Sequence, residues 1–115
     1  MKITNLIDLR SIELNSTVST KEEALNKLID LMDKSGKLND RNVYATGVYA
    51  REGQGSTGIG EGIAIPHCKS SSVTTPGLSA IVVKNGVDFD SVDGEKVQLL
   101  FLIAAPDTED NVHLD

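Results

Sequence analysis

The residues in this chain most able to do chemistry are a histidine placed after an apolar run and an arginine upstream of it. His67 follows Ile63-Ala64-Ile65-Pro66, and that run is reached through Gly58-Ile59-Gly60-Glu61-Gly62, so rich in glycine that backbone must pass close to something there. A neutral imidazole, with an ordinary pKa of about 6.5, can act as nucleophile near neutral pH. A histidine at a strand end is also commonly structural or merely exposed, and that reading stands beside the reactive one. Pro66 has no backbone donor, so the predicted strand stops pairing there and hands His67 to a loop or cleft. If the backbone stays extended, His67 and Cys68 point to opposite faces, which argues against a Cys/His dyad between them.

Arg51 belongs to a predicted second helix that begins at Asn39 or Asp40. Val43, Tyr44, Gly47 and Val48 form its expected buried face, and Arg51 continues that azimuth. The guanidinium either caps helix carbonyls and snorkels to water or reaches the cleft that holds His67. Gly53-Gln54-Gly55-Ser56-Thr57-Gly58 then spells G-x-G-x-x-G. The segment leaves a helix and enters a strand, the reverse of a dinucleotide fingerprint, and no Lys-Ser/Thr follows to make a Walker loop. Its N–H groups and the hydroxyls of Ser56 and Thr57 could hold an anion or serve turn chemistry alone. A zinc site built from His67, Cys68 and His113 has no close ligand pair such as C-x-x-C or H-x-x-x-H, so neither metal nor cofactor is expected.

The elements that must position these groups are legible to different degrees. Ser19 or Thr20 opens a helix, each with a glutamate three residues on (Glu22, Glu23), and Leu25, Leu28, Ile29 and Met32 form one apolar stripe that Gly36 ends. A first strand is expected at Ser11-Ile12-Glu13-Leu14, and further strands run from Leu78 to Lys84 and from Val97 to Ala105. The last is apolar nearly throughout, which marks it as central and buried on both faces. The expectation is therefore a three-layer α/β domain, a mixed central sheet with helices on both faces. Asp93-Gly94 reads as the tight turn of a hairpin. Pro106 ends the last strand, and Asp107 or Thr108 can cap a helix over Glu109 to Asp115.

Composition bounds the remaining possibilities. The 115 residues, 39% apolar and 24% charged, suit one soluble globular domain. A net charge of −6 without clustered Lys/Arg argues against nucleic acid. A single Cys excludes an internal disulfide and fits a reducing compartment. No apolar run approaches the roughly 20 residues that span a bilayer, and no signal-peptide pattern opens the chain, so a cytoplasmic protein without membrane insertion is expected.

Several separated motifs, in order, carry a resemblance. These are Gly58-Ile59-Gly60-Glu61-Gly62-Ile63-Ala64-Ile65-Pro66-His67, Val87-Asp88-Phe89-Asp90, Leu100-Phe101-Leu102-Ile103-Ala104-Ala105-Pro106 and Asn111-Val112-His113-Leu114, with the helix start Lys21-Glu22-Glu23-Ala24-Leu25. Together they resemble the enzyme IIA domain of the fructose/mannitol class of the bacterial phosphoenolpyruvate-dependent sugar phosphotransferase system. The resemblance spans residues 1–115 as a single domain. It implies a phosphotransferase component that accepts a phosphoryl group from the histidine phosphocarrier protein on a histidine and passes it to a IIB domain for sugar uptake. The family's phosphorylated histidine falls on His67, its second active-site histidine on His113, its arginine on Arg51 and its glutamate on Glu61. The chemistry agrees, since Arg51 offers a fork matched to phosphate oxygens and His113 a second donor, while Glu61 would repel phosphate and so orients a histidine. A nitrogen-regulatory IIA paralogue shares fold and histidine but acts by phosphorylation-dependent protein binding; the Ala-Ala-Pro and Asn-Val-His-Leu segments lean toward the fructose type. Family domains continue through C-terminal helices, which implies a domain cut short here, with apolar surface exposed and self-association expected.

Overall fold

The computed structural model describes residues 8–107 of the chain. The expected helix after Pro106, and with it His113, lies outside the described residues. Helix α1 (Lys21–Lys34) starts as its capping residues require: Thr20 Oγ1 accepts from Glu23 N at 3.1 Å, while the Glu23 carboxylate takes the N–H and hydroxyl of Ser19 at 2.8 and 2.9 Å. Those bonds, the Ser19 N–H first, hold the Glu23 carboxyl below its ordinary pKa. Leu25, Leu28, Ile29 and Met32 are all buried, and Gly36 ends the element at φ +79°. Helix α2 (Arg41–Gly53) is capped by Asp40, whose side chain accepts from Val43 N.

Strand β1 (Ile12–Glu13) pairs parallel with β5 (Gly77–Val87), which pairs antiparallel with β6 (Val97–Pro106). The turn between β5 and β6 contains Gly94 at φ +74°, with Gly94 N donating to Ser91 O, as Asp93-Gly94 predicts. On its other side β6 takes two parallel partners in succession, β3 (Ile63–Ala64) and β4 (His67–Ser70); β2 (Gly58–Gly60) closes a hairpin on β3. The sheet is therefore mixed, with β6 at its centre.

The glycine-rich segment and the apolar run that lead into His67 are thus the two strands of a hairpin, β2 and β3, and His67 itself starts a third. Glu61 at φ 58° and Gly62 at φ 79° turn the chain back between β2 and β3. Pro66 interrupts the edge without ending it: its carbonyl accepts from Ile103 N at 3.0 Å and pairing resumes at His67↔Ile103. His67, expected in a loop or cleft, accordingly opens a strand and borders a cavity.

Both described helices lie on one face of the sheet. Ser79 Oγ donates to Leu28 O of α1 at 2.8 Å, Ser79 stands opposite Leu102, and Cys68, two residues along that face beside Ala104, lies beneath Gly47 of α2. Ile81, Leu100, Leu102 and Ala104 are fully or nearly fully buried there. On the opposite face Leu78, Ala80, Val82, Phe101 and Ile103 are half-buried and Leu99 is 38% exposed. The described part of β6 is thus closed on one face, because no described helix covers the other. In α2 the buried stripe is Tyr44, Ala45, Val48 and Glu52, and Val43, expected inside, is 50% exposed.

Gly47 marks a close approach of helix α2 to the sheet. A Cβ there would stand 2.7 Å from Cys68 Sγ. Overpacking of that kind costs about 1–3 kcal/mol, against a helix-propensity gain of about 1 kcal/mol for Gly→Ala. Gly47→Ala should therefore lower unfolding stability by up to about 2 kcal/mol in the natural background, whereas in a Cys68→Ala background the same change should be neutral or stabilising. Denaturant melts of the four proteins check this, and equal Gly47→Ala effects in both backgrounds would exclude the contact as the cause.

Candidate functional site

His67 stands at the first position of β4, half-buried, with its ring tied to its own chain. Nδ1 lies 2.9 Å from the carbonyl oxygen of Ile65. A carbonyl can only accept, so in the neutral ring Nδ1 carries the proton and Nε2 carries the lone pair. Strand parity turns Cys68 the other way, under α2, where it is buried.

Arg51, in the last turn of α2, meets His67 at the edge of the sheet. The two, with Cys68 and Lys69, line an open cavity of about 300 Å³. Of the two readings of Arg51, capping of helix carbonyls is not what the side chain does: Nη1 donates at 3.0 Å to Gly55 O, a loop carbonyl past the helix end, and the residue borders the cavity. One nitrogen is occupied and the remaining guanidinium donors stay free of described protein partners. Lys69 was not singled out from sequence. Its place two residues beyond His67, on the same side of the strand, is the signal that would have found it. Among the described residues, the cavity lining carries one imidazole, one thiol and two cations, and no carboxylate.

The other candidates are placed elsewhere. Glu61 sits at the β2–β3 turn, at the opposite end of β3 from His67; along β6 the partners of Ile63 and His67 are Leu99 and Ile103, about 13 Å of strand rise apart. The Glu61 N–H donates to Asp93 Oδ2 at 3.0 Å, which with the Glu95 N–H holds the Asp93 carboxyl below its ordinary pKa. Glu61 lines a separate surface hollow with Gly62, Glu95 and Lys96, and it makes no described contact with His67. Ser56 and Thr57, expected to offer hydroxyls to an anion, have both committed them. Ser56 Oγ donates to Phe89 O at 2.6 Å, and Thr57 Oγ1 donates to Glu52 Oε1 at 2.6 Å. The loop is turn chemistry, and the buried Glu52 beside Thr57 would itself repel an anion. Glu52 went unnoticed in the sequence, although it continues the Tyr44-Val48 stripe at the next i+4 position.

With this geometry in hand, comparison with known proteins is decisive. Residues 5–115 match the family described as phosphoenolpyruvate-dependent sugar phosphotransferase system, EIIA 2. The chain belongs to this family. It is 46% identical over 115 residues to the PTS system fructose-specific EIIABC component of Bacillus subtilis, matching across 100% of this chain but 18% of that protein. The nitrogen regulatory protein IIA-Ntr of Neisseria meningitidis has the same fold, with TM-score 0.84 and 30% identity over 91% of this chain and 71% of that one. Enzyme IIA mannitol of Escherichia coli, solved in complex with phosphorylated enzyme IIB mannitol, superposes with TM-score 0.78 and 25% identity, covering 90% of this chain and 72% of that one. The EIIA fold, a mixed sheet with α-helices packed on it, is that of the described residues. No described helix of this EIIA chain is long and apolar enough to cross a membrane.

Burial pushes the Cys68 thiol above its ordinary pKa. As pH rises past the ordinary thiol value of about 8.5, the unfolded thiol therefore ionises first, the native state holds more protons, and stability falls. Below that value the contribution is fully present. Tyr44, pushed up by burial and then by Cys68, adds a later loss at higher pH. Thermal melts from about pH 8 to about pH 10 should show Tm falling in the natural chain and a shallower fall in Cys68→Ala. Identical slopes would mean that Cys68 titrates alike in both states.

Proposed function

We propose that this EIIA domain is a phosphocarrier in which His67 accepts a phosphoryl group from the histidine phosphocarrier protein and passes it to a IIB domain, in a fructose-type sugar phosphotransferase system of the cytoplasm. The observation that carries this reading is the Nδ1–Ile65 hydrogen bond, which leaves Nε2 as the free nucleophile at a cavity bordered by Arg51. In the forward step the Nε2 lone pair forms a P–N bond while the donor's P–N bond breaks and the donor imidazole departs neutral. The ring of His67 keeps its Nδ1 proton and gains positive charge, which the Ile65 carbonyl dipole stabilises. Arg51 can hold two phosphoryl oxygens with one planar fork, and Lys69 adds a point charge, so the transferring group is neutralised by positioned cations. His113 remains proposed as a second donor and Glu61 as a group that orients a histidine.

The match to a fructose-specific EIIABC component over the whole of this chain favours the transport reading. A second reading, a nitrogen-regulatory role through phosphorylation-dependent binding, is favoured by the high TM-score to IIA-Ntr. Onward transfer separates them, because only the transport reading requires label to pass from the domain to a fructose-type IIB.

Incubation with radiolabelled phosphoenolpyruvate and the upstream phosphotransferase proteins should yield one acid-labile, base-stable phosphoramidate, absent in His67→Ala. Arg51→Lys should slow labelling about ten- to a hundred-fold, the loss of one charged hydrogen bond of about 1.5–3 kcal/mol. Label retained by His67→Ala would move the nucleophile to another residue, and an unchanged Arg51→Lys rate would remove the fork from the mechanism.

A further inference from the structure

We propose that Glu52 is a positioning residue for Arg51, acting through the turn formed by residues 53–57; the inference rests on the phosphocarrier reading of Arg51 given above. Glu52 does not line the cavity that holds His67. Its side chain is 5% exposed, in the buried stripe of α2. A carboxylate so placed is retained only when its oxygens are matched, and here they are. Thr57 N donates to Oε2 at 2.9 Å, Thr57 Oγ1 donates to Oε1 at 2.6 Å, and the Lys21 ammonium stands 3.0 Å from Oε2.

Arg51 and Glu52 are neighbours in the last turn of α2, so their side chains leave the helix about 100° apart, one toward the cavity and one toward the interior. Between Glu52 and Thr57 the chain folds back on itself: Gln54 N donates to Arg51 O and Gly55 N to Glu52 O. That turn is pinned twice. At its inner end the Glu52 carboxylate grips Thr57, and at its outer end the Gly55 carbonyl receives Arg51 Nη1. The inner grip fixes where the Gly55 carbonyl stands, and the Gly55 carbonyl fixes which way the guanidinium faces.

Lys21 extends the same clamp to a third segment. Its Nζ lies 4.6 Å over the Phe89 ring and 3.8 Å from Asp90, and the Phe89 carbonyl accepts from Ser56 Oγ within the turn. The start of α1 and the end of α2 therefore converge on one buried carboxylate, and Phe89 and Asp90 join it through Lys21.

Glu52→Gln keeps the shape but sets an amide NH2 against the donors of Thr57 or Lys21. Two readouts on the natural chain, E52Q, R51A and the double variant test the proposal. Side-chain 15N NMR of Arg51 should show faster guanidinium rotation in E52Q, and labelling of His67 should slow about ten- to a hundred-fold, as for displaced positioning groups. The double variant should be no slower than R51A alone, because Glu52 then has nothing left to position. Unchanged Arg51 resonances in folded E52Q, or rate losses that multiply in the double variant, would overturn it. Should E52Q fail to fold, Thr57→Val removes one donor to the carboxylate and should shift both readouts in the same direction by less; no shift in that folded variant overturns the proposal equally. If the natural chain takes no label, the phosphocarrier reading falls, while the NMR arm still decides whether Glu52 orients Arg51.

Discussion

Ile103 donates its N–H to the carbonyl of Pro66, and the side of the sheet to which His67 turns depends on that bond. A proline has no donor to give the ladder, which confines it to sheet edges, strand starts and bulges. Here the proline's remaining polar group is used, so β6 keeps a partner across the break and β4 begins in register with it. Parity then does the sorting: His67 is turned away from the helices and Cys68 is turned under them. Had pairing ended at Pro66, the imidazole would sit on a free loop and nothing would hold it opposite the end of α2.

The second constraint is electrostatic. Glu52 is a charge in an apolar stripe, and its partners come from far along the chain, Lys21 before it and Thr57 after it. Breaking a buried pair by removing one partner is costlier than the pair's net worth, since it strands the other charge. The arrangement therefore acts less as a source of stability than as a means of holding one geometry, the turn that presents Gly55 to Arg51. The exposed pairs, Arg41 with Asp30 and Lys27 with Glu13, have no such leverage, because solvent screens them.

Much of the fold was legible where the cause is local. The Thr20/Glu23 and Asp40 caps, the Gly36 stop and the Asp93-Gly94 turn each depend on residues within a few positions of one another, and the structure has them. The central place of β6 was legible from its apolar length. What escaped was non-local or ambiguous. The turn between β2 and β3 was read only as a glycine-rich approach to an apolar run, because its pivot Glu61 adopts positive φ although it is no glycine. Val43 and Ala45 were exchanged because a short helix stripe fixes its azimuth only to about one residue. Of the candidate site, the placing of His67 and Arg51 at one cavity was legible from position and type. Lys69 was overlooked because an exposed lysine is ordinary, and Glu52 because a carboxylate is assumed to face water unless its distant partner is known.

The back-to-back arrangement of His67 and Cys68 has a consequence for how the edge strand is kept honest. Side chains alternate along a strand, so a slip of β4 by one residue against β6 would bring either the imidazole of His67 or the long side chain of Lys69 under α2. At that point the helix has no Cβ, and even the small thiol of Cys68 fills the space. A ring or a lysine there would force the helix off the sheet. Gly47 thus works as a size gauge that admits one register only, and in doing so it guarantees that the imidazole faces outward. Positions 47 and 68 share a single fixed volume. A chain of this fold that enlarges one must shrink the other, or lose the alignment on which its histidine depends.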